Sequence, residues 1–176
     1  MVRLFVCIWI PEELKRDIIK FQEKMSKLPM DAKFVEKENL HLTITFLGEV
    51  EDTSSIKNSL VNIKGFGSFP ITLSGLKIIP SENYIRVVGI EVKDKGKLSL
   101  LIKTVGGLIG GDYYENSKMT LCRVKSIKNK DEVLDFLRKN KDVNFGEFMA
   151  KKISLVRSDL TPHGPIYTTI FEVDLE

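Results

Sequence analysis

The feature that most constrains the fold is a strand pattern that occurs twice. In His41-Leu42-Thr43-Ile44-Thr45, within Leu40–Gly48, β-branched and apolar residues alternate with polar ones and a glycine closes the run. Side chains on a strand alternate between faces, so this spacing puts His41, Thr43 and Thr45 on one face and Leu40, Leu42, Ile44 and Phe46 on the other. The apolar face demands a core. The polar face carries an imidazole and hydroxyls on a stiff element, a combination suited to holding a phosphate and moving a proton. At Lys118-Met119-Thr120-Leu121-Cys122-Arg123 the polar-x-Thr-x pattern returns, with Lys118 in the histidine's place. The recurrence reads as a weak internal duplication, polar-x-Thr-x on a strand, twice, about one half-domain apart. On an ideal strand Arg123 is out of phase with Thr120 and faces away; a β-bulge is needed to bring it in.

The elements around these strands are read from periodicity and punctuation. Val2–Ile10 is a near-continuous apolar strand, buried on both faces, and not a signal peptide: it has one basic residue and no small-residue cleavage site. Pro11-Glu12-Glu13 opens a helix whose apolar stripe is Leu14, Ile18, Phe21, Met25 and Leu28, and Pro29 ends it. Ala32–Glu36 is a short extended piece. Asp52–Ser55 offers caps for a second helix through Ile56, Leu60 and Ile63. Phe69–Ile79 and Tyr84–Val92 form two strands joined at Pro80–Asn83. Leu98–Ile109 is a third helix, weakened and ended by Gly106-Gly107 and Gly110-Gly111, and Asp131–Asn140 is a fourth. Phe145–Asp159 and Ile166–Leu175 close the fold as two strands around the Thr161-Pro162-His163-Gly164-Pro165 turn. Paired neighbouring strands with irregularly placed helices make the class α+β, over one domain spanning residues 1–176.

With 43% hydrophobic and 29% charged residues the chain has the composition of a globular protein. No apolar run reaches membrane-spanning length, which excludes a helical membrane anchor within the sequence. A net charge of +3 permits an anionic substrate, but the lysines are spread, with local concentrations at Lys125–Lys130 and Lys151-Lys152, unlike the dense patch of a general nucleic-acid binder. The two cysteines, Cys7 and Cys122, lie in apolar strands without metal-ligand spacing and read as buried free thiols of a cytoplasmic protein, with a disulfide between neighbouring central strands as the alternative. A monomer without a membrane partner is the expectation. The glycine pairs lack the leading strand and the following Lys-Ser/Thr of a P-loop.

Taken in order, Val2–Ile10 with Pro11-Glu12-Glu13-Leu14, His41–Gly48, Phe69-Pro70, Leu121–Val124 and Ser158–Tyr167 resemble the two-histidine (2H) phosphoesterases, and most closely the RNA 2',3'-cyclic phosphodiesterases, also called RNA 2',5'-ligases. The resemblance covers almost the whole chain, with Lys118 where the family carries its second histidine. It implies two similar lobes of antiparallel sheet with outer helices, facing across a cleft, with one motif on a central strand of each. It implies opening of an RNA 2',3'-cyclic phosphate to a 2'-phosphate, or chemistry on a 2',5' linkage, with RNA or nucleotides as partners and no metal or other cofactor. It makes His41 the acid/base group and Thr43 and Thr120 the phosphate donors. Arg123, Tyr113, Tyr114 and His163 are then substrate-binding candidates at the cleft edge, and Phe46 and Tyr167 serve either as core or as base-stacking groups.

Lys118 stays open between three roles: a general acid or electrostatic clamp in an active enzyme, a phosphate contact in a homologue that binds without turnover, or a bystander to a catalytic His163. A lysine ammonium, with an ordinary pKa of about 10.4, is a good phosphate contact and a poor base unless burial lowers that value.

Overall fold

The computed structural model describes residues 1–113 and 118–176. In chain order its elements are β1 (Val2–Trp9), α1 (Glu12–Ser26), β2 (Met30–Phe34), β3 (His41–Val50), α2 (Thr53–Leu60), β4 (Phe69–Ser81), β5 (Tyr84–Lys93), α3 (Lys97–Ile109), β6 (Lys118–Ile127), α4 (Lys130–Lys139), β7 (Asn144–Ala150), β8 (Lys152–Thr161) and β9 (Gly164–Asp174). The strands form two antiparallel sheets, one of four in the order β3-β1-β8-β9 and one of five in the order β2-β6-β5-β4-β7. The α+β expectation of two lobes, each built on antiparallel sheet, holds.

Local chemistry explains the elements. Glu12 and Glu13 occupy the first turn of α1 behind Pro11, where acids complement the helix dipole. The Asp52 carboxylate accepts from the Ser54 and Ser55 amides at the start of α2, and the Asn129 side chain accepts from the Glu132 amide at the start of α4. The helices cross over between lobes. Helix α1 leaves the four-stranded sheet yet packs on β2 and β7 of the other, where Phe21 meets Phe136 of α4. Helix α3 leaves the five-stranded sheet and packs on α2 and β3. Buried residues from both sheets, among them Leu42, Ile44, Ile90, Leu121 and Leu155, belong to one contiguous core.

One expected strand is two. The run Phe145–Asp159 breaks at Lys151: β7 pairs with β4 in the larger sheet, while β8 pairs with β1 and β9 in the smaller. The apolar pattern runs through the break because both strands face the same core, with Phe148 and Ala150 on one side of it and Ile153 and Leu155 on the other. Periodicity therefore carries no sign of the crossover.

Candidate active site

The two motif strands share a local irregularity. Opposite β1, Thr45 pairs with Val6 and Thr43 with Cys7, which leaves Ile44 as an extra residue; opposite β5, Cys122 pairs with Val88 and Thr120 with Gly89, which leaves Leu121 extra. Each is a β-bulge, and each falls three residues after the motif's first position. The two strands accordingly bury the same positions in the same order over all ten residues.

The bulges decide what faces the cleft. A bulge reverses the alternation beyond it. In β6 this brings Arg123 onto the wall of Lys118 and Thr120, as its place among the expected binding residues required. In β3 it overturns two sequence expectations. Thr45 does not share the polar face with His41 and Thr43: it is fully buried, and its hydroxyl donates to the carbonyls of Gly110 and Asp112 at 3.3 and 3.2 Å. Phe46 leaves the core and stands 47% exposed at the cleft, at the position that Arg123 holds in the other lobe. His41, Thr43, Phe46, Lys118, Thr120, Arg123, Tyr113 and Tyr167 all line one cavity of about 420 Å³ between the sheets.

His41 is oriented by its own strand. Its Nδ1 lies 2.6 Å from the Asn39 carbonyl oxygen, which only accepts, so Nδ1 carries a proton and donates. In the neutral ring, Nε2 then holds the lone pair, and it accepts from the Thr43 hydroxyl at 3.0 Å. Phe5, Tyr167 and Trp9 surround the ring, with centroids 5.2, 5.6 and 5.8 Å away. Burial in this aromatic box lowers the His41 pKa below its ordinary value, partly offset by the Asn39 hydrogen bond. A neutral imidazole with its lone pair on Nε2 is the form a general base needs.

The facing wall is cationic. Lys118 is half-buried, and its aliphatic chain runs beside Gly89, where a Cβ would stand 3.4 Å from Lys118 Cδ and 2.9 Å from the Met119 carbonyl. Burial lowers the Lys118 pKa, and the charges of Arg123 and Lys77 lower it further. Lys77 reaches this row because it pairs with Gly89, which in turn pairs with Thr120. Tyr167 has its phenol pKa raised, chiefly by burial, and is a neutral hydroxyl.

The remaining candidates fall into place unevenly. Tyr113 lines the cavity with its ring against Gly106, where a Cβ would meet the ring at 2.9 Å. Tyr114 lies outside the described residues. His163 is exposed at the tip of the β8–β9 hairpin and is not part of the cavity lining; Pro165 and Tyr167 line it instead. Asn39, Phe5 and Trp9, which orient and desolvate His41, and Lys77 had no distinguishing signal in the sequence beyond position on a neighbouring strand. Both cysteines are free and buried. Among the described residues no group of three or more His, Cys, Asp or Glu is placed to hold a metal ion, and no helix is long and apolar enough to cross a membrane.

A family profile described as LigT like phosphoesterase matches residues 8–89, which includes β3 and His41 and stops short of Lys118. An RNA 2',3'-cyclic phosphodiesterase of Methanocaldococcus jannaschii is 40% identical over 177 residues, covering 97% of this chain and 99% of that protein. One from Archaeoglobus fulgidus is 34% identical over 173 residues, covering 94% and 96%. Among solved structures, one from Thermus thermophilus aligns with a TM-score of 0.74 at 26% identity over 98% of this chain and 97% of that one. Escherichia coli LigT complexed with 3'-AMP has the same fold, with a TM-score of 0.78 at 22% identity over 99% of this chain and 98% of that one.

Proposed function

This chain belongs to the LigT-like phosphoesterases, alongside the RNA 2',3'-cyclic phosphodiesterases, and we propose that it opens the 2',3'-cyclic phosphate at an RNA end to a 2'-phosphate. The observation that carries the reading is the tied histidine: Nδ1 locked on the Asn39 carbonyl and Nε2 presented to a cavity walled by Lys118, Thr120 and Arg123. In the proposed reaction Nε2 of His41 takes a proton from water as its oxygen bonds to phosphorus. The bond from phosphorus to the ribose 3'-oxygen breaks, and the Lys118 ammonium gives that oxygen a proton. The hydroxyls of Thr43 and Thr120 and the Arg123 guanidinium hold the non-bridging oxygens as charge builds, and donors fixed in advance are worth about 3 kcal/mol each in comparable sites. Once product leaves, His41 gives up its proton to solvent and Lys118 regains one. With a ribose 5'-hydroxyl in place of water, the same displacement forms a 2',5' linkage. Phe46 and Tyr113 offer faces for the terminal base. The protein acts as a cytoplasmic monomer without a metal.

A second reading rests on Lys118 itself. With Arg123 and Lys77 near it, the wall is a phosphate cradle that holds an RNA end without turning it over.

One experiment separates the two: hydrolysis of adenosine 2',3'-cyclic phosphate from pH 5 to 9, with chelator present, by the wild type, His41→Ala and Lys118→His. The enzyme reading expects turnover in the wild type that falls by about 10²–10⁴-fold in His41→Ala, and Lys118→His near the wild-type rate or below it. No turnover in the wild type, with activity appearing in Lys118→His, would establish the binding reading.

A further inference from the structure

Beyond Phe46 the cleft does not end. A second cavity, of about 510 Å³, shares Phe46, Asp112, Pro165 and Tyr167 with the first and continues past them along the smaller sheet. Its own lining includes Arg3, Ser158 and Leu160. In β8 and β9 Leu160 pairs with Pro165 and Ser158 with Tyr167, so these side chains share the face that Tyr167 turns to the cleft. Leu160 is 69% exposed, so its aliphatic surface is open to a ligand in the cavity. Arg3, from β1, is half-exposed, and its Nε lies 3.9 Å from a Glu49 carboxylate that is itself exposed, a weak pair that leaves the guanidinium able to take a phosphate. The cavity thus has an apolar platform, a cation and a hydroxyl. That is the composition that holds one nucleotide of a single strand, with base on apolar surface and backbone on positive charge.

We propose that this second cavity is a subsite for the nucleotide immediately 5' to the one bearing the cyclic phosphate. The inference rests on the reaction proposed above, because it takes the phosphate end to lie between His41 and Lys118. With that end fixed and the terminal base at Phe46, the chain leads away over the Phe46–Tyr167 partition. The phosphodiester joining the last two nucleotides then falls to Arg3, and the penultimate base to Leu160 and Pro165. Asp112, at the partition, suits a ribose hydroxyl or a base amino group, both of which donate. The subsite makes the protein a reader of RNA ends in preference to free cyclic nucleotides, and it requires two linked residues for full affinity.

The test compares adenosine 2',3'-cyclic phosphate with adenylyl-adenosine 2',3'-cyclic phosphate in the wild type, Leu160→Asp and Arg3→Gln. Both substitutions are at exposed positions outside the first cavity. The dinucleotide should have a kcat/KM about tenfold higher than the mononucleotide in the wild type, the scale of one stacked base. Leu160→Asp should erase that advantage and Arg3→Gln should reduce it, with the mononucleotide value unchanged in both. Equal values in the wild type, or an advantage that survives both substitutions, would overturn the subsite. Dissociation constants for adenosine 2'-phosphate and for the dinucleotide with the same end, measured by calorimetry, decide the matter without turnover. If neither substrate is hydrolysed, the proposed reaction fails, and the subsite still stands or falls on whether the dinucleotide binds more tightly and loses that margin in Leu160→Asp.

Discussion

At the scale of single residues, the chemistry depends on two groups, His41 and Lys118, whose pKa values are both lowered by burial. Burial among Phe5, Trp9 and Tyr167 keeps His41 neutral to lower pH than a free imidazole, whose pKa is about 6.5. The acid limb of kcat/KM should therefore have its midpoint below that value, and a midpoint at or above it would mean that His41 is not the base. The same shift has a stability sign. Because the folded pKa is depressed, the unfolded chain takes the proton first as pH falls, so His41 contributes stability that is full above about 6.5 and lost as pH drops through its folded value. Lys118 is displaced in the useful direction for an acid, by burial first and then by Arg123 and Lys77. If it is the acid, Lys77→Gln should move the alkaline limb of the same profile upward, since one repelling charge is gone; a limb that does not move detaches Lys118 from proton transfer. These groups were legible in the sequence because simple alternation holds from His41 to Thr43 and from Lys118 to Thr120. Alternation assigns Thr45 and Phe46 to faces opposite those they take, because it slips at Ile44, where nothing in a run of β-branched residues marks a bulge.

At the scale of elements, the bulged motif strand is held by the end of α3. The Thr45 hydroxyl bonds the Gly110 and Asp112 carbonyls, and Phe46 and Asp112 exchange backbone hydrogen bonds, each at 2.8 Å. Gly111, at φ +96°, makes this approach possible: a Cβ there would meet the Phe46 carbonyl and the Thr45 hydroxyl at 2.6 Å. Gly111→Ala should cost about 1–3 kcal/mol in urea unfolding. Gly107→Ala, in the body of the same helix with nothing within 4 Å, should add about 0.5–1 kcal/mol. Opposite signs for the two are the expected result, and a neutral Gly111→Ala would show that the clamp does not matter. The limits of α3 are legible in its periodicity to within a residue, and its glycines there signal only weakness. That Gly106 is a seat for Tyr113 carries no sequence signal, because the contact is between a helix and the chain beyond its end. Likewise, the break at Lys151 was invisible because one shared core serves both sheets.

At the scale of the molecule, two lobes trade their helices and present unlike walls to each other. The five-stranded sheet offers Lys118, Arg123 and Lys77, whereas the four-stranded sheet offers His41 inside an aromatic box. The duplication was legible in the repeated polar-x-Thr-x pattern, and the two-lobed arrangement in the resemblance that pattern carried. The exchange of α1 and α3 was not, since an apolar helix stripe specifies a partner surface but not whose surface it is. The shared core also sets the behaviour of the thiols. Burial raises Cys7 well above the ordinary thiol range and pushes Cys122 up to about 12. Neither should react with a thiol reagent in the folded protein, and both should react at once in denaturant; prompt labelling of the native chain would show that the core opens.

The aromatic box has one further consequence. Trp9 is the chain's single tryptophan, and its indole, tethered to Thr169 through a 3.0 Å hydrogen bond, meets the His41 ring edge-on. Imidazolium quenches a neighbouring excited indole and neutral imidazole does so far less. The protein therefore carries a built-in optical gauge of its own base: emission should dim as His41 takes up its proton, fall to half that change at the pH of the acid limb, and stay flat across the same range in His41→Asn.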